Sequence, residues 1–137
     1  MITRIKKHKQ SFVIAIDFDG TIVDHEFPYI GELKPHAKEV INELYDEGHT
    51  IIIWTCRTSQ HAIGIDKDSS PTIFHVKEFL ESKGIKFDTI NHNDPDSGFQ
   101  PSPKVFAHIY IDDRQLGGIP DDWAEIRSIL SSYHGIL

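Results

Sequence analysis

The stretch Ser11-Phe-Val-Ile-Ala-Ile16-Asp17-Phe-Asp19-Gly20-Thr21 decides the fold. Its apolar run, Phe12 to Ile16, reads as a strand buried on both faces, the kind found in parallel sheets that are covered on each side. The run ends in two carboxylates spaced two residues apart. Gly20 then permits a tight turn with close approach of the backbone to a ligand. Thr50-Ile-Ile-Ile-Trp54 repeats the apolar pattern, Phe87-Asp-Thr-Ile90 suggests a short strand, and Ala107-His-Ile-Tyr-Ile111 is a further strand that ends in Asp112-Asp113. Amphipathic stretches lie between these runs. Pro35 to Glu47 carries Ala37, Val40, Ile41 and Leu44 on one helical face, with Pro35 in its first turn and Gly48 past its end. Pro71 to Lys83 does the same with Ile73, Val76, Phe79 and Leu80, with Ser70 as the expected N-cap and Gly84 beyond. Asp122 to Tyr133 reads as a last helix, with Asp122 and Glu125 at capping-box spacing.

This alternation of strands and helices implies an α/β sandwich with a mainly parallel sheet. Such sheets bind ligands beyond the carboxyl ends of their strands. That rule directs attention to Asp17 and Asp19, to Thr55 and Arg57, and to Asp112 and Asp113.

Composition narrows the class. The chain has 137 residues, which suits a single domain over 1–137, and apolar residues make up 39%. Its net charge of −7 makes it a poor match for a phosphate backbone, so nucleic acid is not an expected partner. A lone cysteine, Cys56, excludes an internal disulfide. No apolar run approaches a membrane-spanning length, and the basic start is followed by too short an apolar run for a secretory signal. A cytoplasmic protein without a membrane partner is expected. The basic residues Arg4, Lys6, Lys7 and Lys9 read as a solvated strand edge or a frayed terminus.

Taken singly, the polar clusters are ambiguous. Asp17-Phe-Asp19-Gly20-Thr21 is also a composition that favours a simple turn. Paired acids such as Asp112-Asp113 repel each other unless a cation intervenes, and Mg²⁺ is the default hard ion for one or two carboxylates plus a phosphate. An Asp-rich loop is the plain alternative. Thr55 can donate to a phosphoryl oxygen, yet threonine is common in strands. Lys104, among prolines, reads as solvated surface unless its neighbours give it a role. Arg57 suits either a substrate phosphate or a site carboxylate.

Taken together, the ordered set resembles the haloacid dehalogenase superfamily, and within it the phosphatases. DFDGTIV, IIIWTCR and VFAHIYIDDR look like that family's first, second and fourth motifs. The resemblance implies a Rossmann-like three-layer sandwich, with a helical squiggle and hairpin flap in residues 20–31. It further implies Asp17 as nucleophile and Asp19 as general acid and base, acting through an aspartyl-phosphate. Asp17, the Asp19 carbonyl, Asp112 and Asp113 would hold Mg²⁺. Thr55, Lys104, Gly20 and Arg57 would contact the substrate phosphate. An acid at position 19 favours phosphoester hydrolysis, because relatives that release halide lack it.

Neither candidate insertion region has room for a cap domain, so an open site for a phosphorylated and even macromolecular substrate is expected. The apolar flap segment Phe27-Pro28-Tyr29-Ile30 is a candidate substrate contact or homo-oligomer contact, with packing against the domain as the simpler reading, and His25 and Glu26 before it are candidates for lining the entrance. Two further functions compete with a phosphomonoesterase. One is a polynucleotide end phosphatase, which the acidic charge disfavours. The other is a domain without turnover: a phosphoacceptor switch would have its paired acids near the start and its phosphorylated Asp after a middle strand, and an inactive binding domain has no support because all four elements are intact.

Overall fold

A computed structural model of the protein describes residues 11–60, 70–100 and 102–137. The basic residues before Ser11 lie outside the described residues. Four strands form one all-parallel sheet in the order β3-β2-β1-β4, with β1 Val13–Asp17, β2 Thr50–Trp54, β3 Thr89–Ile90 and β4 Ile109–Ile111. Three helices accompany them, α1 Ala37–Asp46, α2 Ile73–Ser82 and α3 Trp123–His134. The apolar runs become the two central strands because only a strand paired on both sides and covered on both faces can hide such a sequence.

Alternation along the strands sorts the core. Ile14, Ile16, Ile51 and Ile53 point to one face, where they meet Val40, Ile41 and Leu44 of α1, Val76 and Leu80 of α2, and Trp123, Ile126 and Leu130 of α3. Val13, Ala15 and Ile52 point to the other face. No helix packs there among the described residues. That third layer is the irregular run from β3 to β4, which contains a single 3-10 turn at Pro95–Ser97 and presses Val105 and Ala107 onto the sheet. The Tyr110 hydroxyl donates to the Val105 carbonyl at 2.6 Å and accepts from the Ala107 N–H at 3.2 Å, which gives this non-helical layer its shape.

Two helix starts differ from expectation. His36, with φ of 62°, stands between Pro35 and α1, because the Pro35 carbonyl turns aside to accept the Trp123 N–H at 2.9 Å. Thr72, not Ser70, caps α2, and its N–H donates to Nδ1 of His75 at 3.0 Å. Histidine at the third helical position thus does what Glu or Gln usually does in a capping box. Asp122 caps α3 as expected, accepting from the Ala124 N–H at 2.8 Å.

Histidines also hold the start of β1. The Phe12 N–H donates to Nδ1 of His49 at 3.2 Å, and the Val13 N–H donates to Nδ1 of His108 at 2.8 Å. His49 is fully buried, and its Nε2 faces the Ile136 carbonyl at 3.3 Å. One ring thus joins β1 to the end of the chain as an Nε2–H tautomer. His49→Leu leaves a backbone donor and an acceptor without this partner, so urea unfolding is expected to show a loss of about 2 kcal/mol or more.

Candidate active site

The strand order places the site. The chain runs from β1 to β2 on one side and returns to β4 on the other, and ligands bind where such an order reverses. Ile16 pairs with Ile111, so β1 and β4 end side by side. Asp17 closes β1, while Asp112 and Asp113 follow β4. Their carboxylate oxygens lie within 4.8 Å of one another.

The loop after β1 is built around this crowding. Gly20 has φ of 85°, and a Cβ there would meet Oδ2 of Asp113 at 2.3 Å. Glycine is needed both for the backbone conformation and for the room it leaves the carboxylate. Thr21 is fully buried; its hydroxyl accepts the Asp113 N–H at 2.9 Å and donates to Oδ2 of Asp17 at 3.0 Å. One hydroxyl therefore sets the spacing of two carboxylates from different strands. The Thr21 carbonyl is held in turn by the indole N–H of Trp123 at 2.9 Å.

Burial pushes the Asp17 carboxyl up to about 8. A hydrogen bond shared with Asp113 and repulsion from Asp112 add to the rise, against a smaller lowering by the Thr21 hydroxyl. Three hard oxygen donors whose charges oppose one another suit a metal ion, which would neutralise them.

Asp19 leaves this cluster and meets Arg57 in a two-pronged ion pair. Nε donates to Oδ2 at 2.9 Å and Nη2 to Oδ1 at 2.8 Å. The remaining guanidinium donors reach the carbonyls of Pro28 (2.7 Å), Pro71 (2.9 Å) and Tyr29 (3.1 Å). All five donors of Arg57 are thus used inside the protein. Of the two roles open to Arg57 in the sequence, the structure contains the pairing with a site carboxylate. The same guanidinium fastens the flap to the start of α2. The flap itself is a small hairpin in which the Asp24 N–H donates to the Glu32 carbonyl at 2.8 Å, and Val23 bridges Leu33.

Thr55 is nearly buried at the end of β2, where its hydroxyl accepts the Arg57 N–H at 3.1 Å. Asn91, at the end of β3, clamps the Thr55 backbone twice: its Oδ1 accepts the Thr55 N–H and its Nδ2 donates to the Thr55 carbonyl, both at 2.9 Å. Lys104 is exposed, and its ammonium lies 5.3 Å from the centre of the Tyr110 ring, away from the carboxylates. Its neighbours Ser102 and Pro103 do line the site.

Two cavities meet at Asp17. One, of about 300 Å³, contains Asp19, His25, Phe27, Asp113 and Arg114. The other, of about 420 Å³, contains Thr55, Asn91, Ser102 and Pro103. Asp17, Cys56 and Asp112 belong to both. Thr21, Asn91 and Trp123 carry no role in the sequence reading. Thr21 had a signal in its place directly after Asp-Gly. The other two act through the backbone of residues distant in sequence, which leaves no local pattern.

Comparison with known proteins agrees with this geometry. The profile of the haloacid dehalogenase-like hydrolases matches residues 14–77, from β1 into α2. A solved structure of a conserved protein from Bacteroides thetaiotaomicron is 35% identical, with a TM-score of 0.71 over 89% of this chain and 91% of that one. Curated proteins give no match. The chain belongs to the haloacid dehalogenase-like hydrolase family. Among the described residues it has no cap domain: the flap and α1 fill the span from β1 to β2, and α2 with short loops and strands fills the span that follows. No described helix is long and apolar enough to cross a membrane.

Two predictions follow from the charges. Because the folded Asp17 carboxyl titrates above its ordinary value of 3.8, its contribution to stability is full below that value and is lost as pH rises through about 8. With a chelator near pH 9, Asp17→Asn is expected to melt roughly 3–6 °C above the wild type. The gap should close toward pH 4 and, at alkaline pH, on adding a divalent cation. Second, Arg57→Met leaves the largely buried Asp19 carboxylate without its guanidinium, at an expected cost of about 3–5 kcal/mol in denaturant unfolding. The same substitution in an Asp19→Asn background should cost clearly less.

Proposed function

We propose that this protein is a Mg²⁺-dependent phosphomonoester hydrolase that works through an aspartyl-phosphate on Asp17. The observation that carries this reading is the position of Asp17. It belongs to a carboxylate triad able to hold a cation, and it lies where two cavities meet, one holding Asp19 and the other Thr55. Mg²⁺ held by Asp17, Asp112 and Asp113 would keep Asp17 ionised and offset the charge of the phosphoryl oxygens.

In the first step the Asp17 carboxylate attacks phosphorus, the bond to the leaving oxygen breaks, and Asp19 gives that oxygen a proton. In the second step Asp19 takes a proton from water, the water oxygen attacks the acyl phosphate, and Asp17 is released with inorganic phosphate. Thr55 donates to a phosphoryl oxygen throughout. Both oxygens of Asp19 accept from Arg57, so one must turn away from the guanidinium to reach the leaving group. Lys104 joins the phosphoryl group by swinging off the Tyr110 ring, from a place in the chain next to residues that line the cavity. The partner is a phosphorylated substrate without a nucleic-acid backbone, in keeping with the charge of −7.

The test is hydrolysis of 4-nitrophenyl phosphate and of ethyl phosphate with Mg²⁺. Asp17→Asn is expected to lower turnover at least about a thousandfold. Asp19→Asn should slow the ethyl ester more than the nitrophenyl ester, by a factor on the order of 10², because only the poor leaving group needs the proton. A wild-type protein that binds Mg²⁺ but hydrolyses neither ester would overturn the proposal.

A further inference from the structure

The two cavities beside Asp17 are chemically different, and the difference assigns them to different halves of a substrate. Asp19 lines only the smaller one, and Thr55 lines only the larger. A phosphoryl group bound for attack has its leaving oxygen opposite the nucleophile, and the proton donor must reach that oxygen. The organic half of the ester therefore extends into the cavity that holds Asp19.

Two features of that cavity lack an explanation in the fold. Phe27 is 46% exposed, while Arg57 lies under its ring at 4.8 Å from the centre. Arg57 also holds the next two flap residues by their carbonyls, so the ring stands in place before any ligand arrives. The second feature is Arg114. Its backbone N–H is fixed to Oδ1 of Asp112 at 2.9 Å, which sets it at the rim. Its guanidinium has no hydrogen-bond or ion-pair partner among the described residues, although four aspartates line the same cavity. Arg114 does not line the cavity that holds Thr55.

We infer that the Asp19-side cavity is a leaving-group subsite selective for phosphomonoesters of aromatic alcohols that carry a second negative group. The ring lies on the outer face of Phe27, and the second anion pairs with Arg114. Stacking on an aromatic already in place and a charge-assisted pair with a free guanidinium are the two contacts this surface can make. The inference rests on the reading of Asp19 as proton donor.

The experiment compares kcat/KM for ethyl phosphate, phenyl phosphate and 4-carboxyphenyl phosphate in the wild type, Phe27→Ala and Arg114→Gln, all with Mg²⁺. Thermal melting first verifies that the variants fold. Phe27→Ala should shrink the phenyl-over-ethyl ratio about three- to tenfold. Arg114→Gln should shrink the carboxyphenyl-over-phenyl ratio about tenfold. The Arg114 ratio should also appear in equilibrium binding of the two aryl esters to Asp17→Asn protein with and without Arg114→Gln. Hydrolysis with both ratios unchanged by the variants overturns the subsite assignment alone. An equal loss on all three esters for Arg114→Gln also overturns it, since Arg114 would then serve the phosphoryl group. Failure to hydrolyse any ester overturns the phosphatase reading beneath it.

Discussion

Crowding of like charge at the ends of β1 and β4 is the constraint around which the site is arranged. Parallel pairing of these two strands brings Asp17 beside Asp112 and Asp113, and nothing in an apolar sheet would tolerate three carboxylates there without help. The surrounding residues each relieve one part of the strain. Gly20 leaves room for the Asp113 carboxylate, Thr21 bridges two of the three acids, and Trp123 fixes the Thr21 carbonyl from α3. Arg57 holds the fourth acid, Asp19, through both of its carboxylate oxygens. The triad and Asp19 all line the smaller cavity, whereas Thr55 and Asn91 line only the larger, and this gives the two halves of the site different chemistry. One side gathers four aspartates with Phe27 and Arg114, and the other adds a threonine, an asparagine and the Ser102-Pro103 loop.

The central strands, the one-faced helices and the acidic strand ends were legible in the sequence because each is a local pattern. Five or six apolar residues in a row need burial on both faces, and Ala37, Val40, Ile41 and Leu44 need one buried face. The D-x-D-G-T string was readable for the same reason: its turn and its carboxylates are neighbours in the chain. Contacts between distant segments were not readable. Asn91 clamps Thr55 from the next strand, and His49 and His108 seat the start of β1 from far along the sequence. His36 interrupts the expected start of α1 because a carbonyl beside it serves Trp123. Arg57 showed the limit most clearly: its residue type allowed either an anion of the substrate or an acid of the protein, and only the fold could bring Asp19 and the flap carbonyls around it.

Arg57 also links the site to the scaffold. Its backbone follows Thr55, its N–H reaches the Thr55 hydroxyl, and its side chain reaches the first loop, the flap and the segment leading to α2. Any movement of Asp19 away from Arg57 therefore loosens a contact that also orders the flap. The position of Asp19 and the shape of the neighbouring cavity are in this way mechanically connected, without any cap among the described residues to close over them.

The sheet itself has one further property. Its inner strands have five residues each, but the outer ones, β3 and β4, have two and three. An outer strand that short offers few free backbone donors and acceptors to a strand from another molecule. A sheet as apolar as this one would otherwise be a template for edge-to-edge growth. Brevity at both margins limits the sheet to four strands and guards the protein against aggregation, while the strands themselves carry a single charged residue, Asp17 at the end of β1.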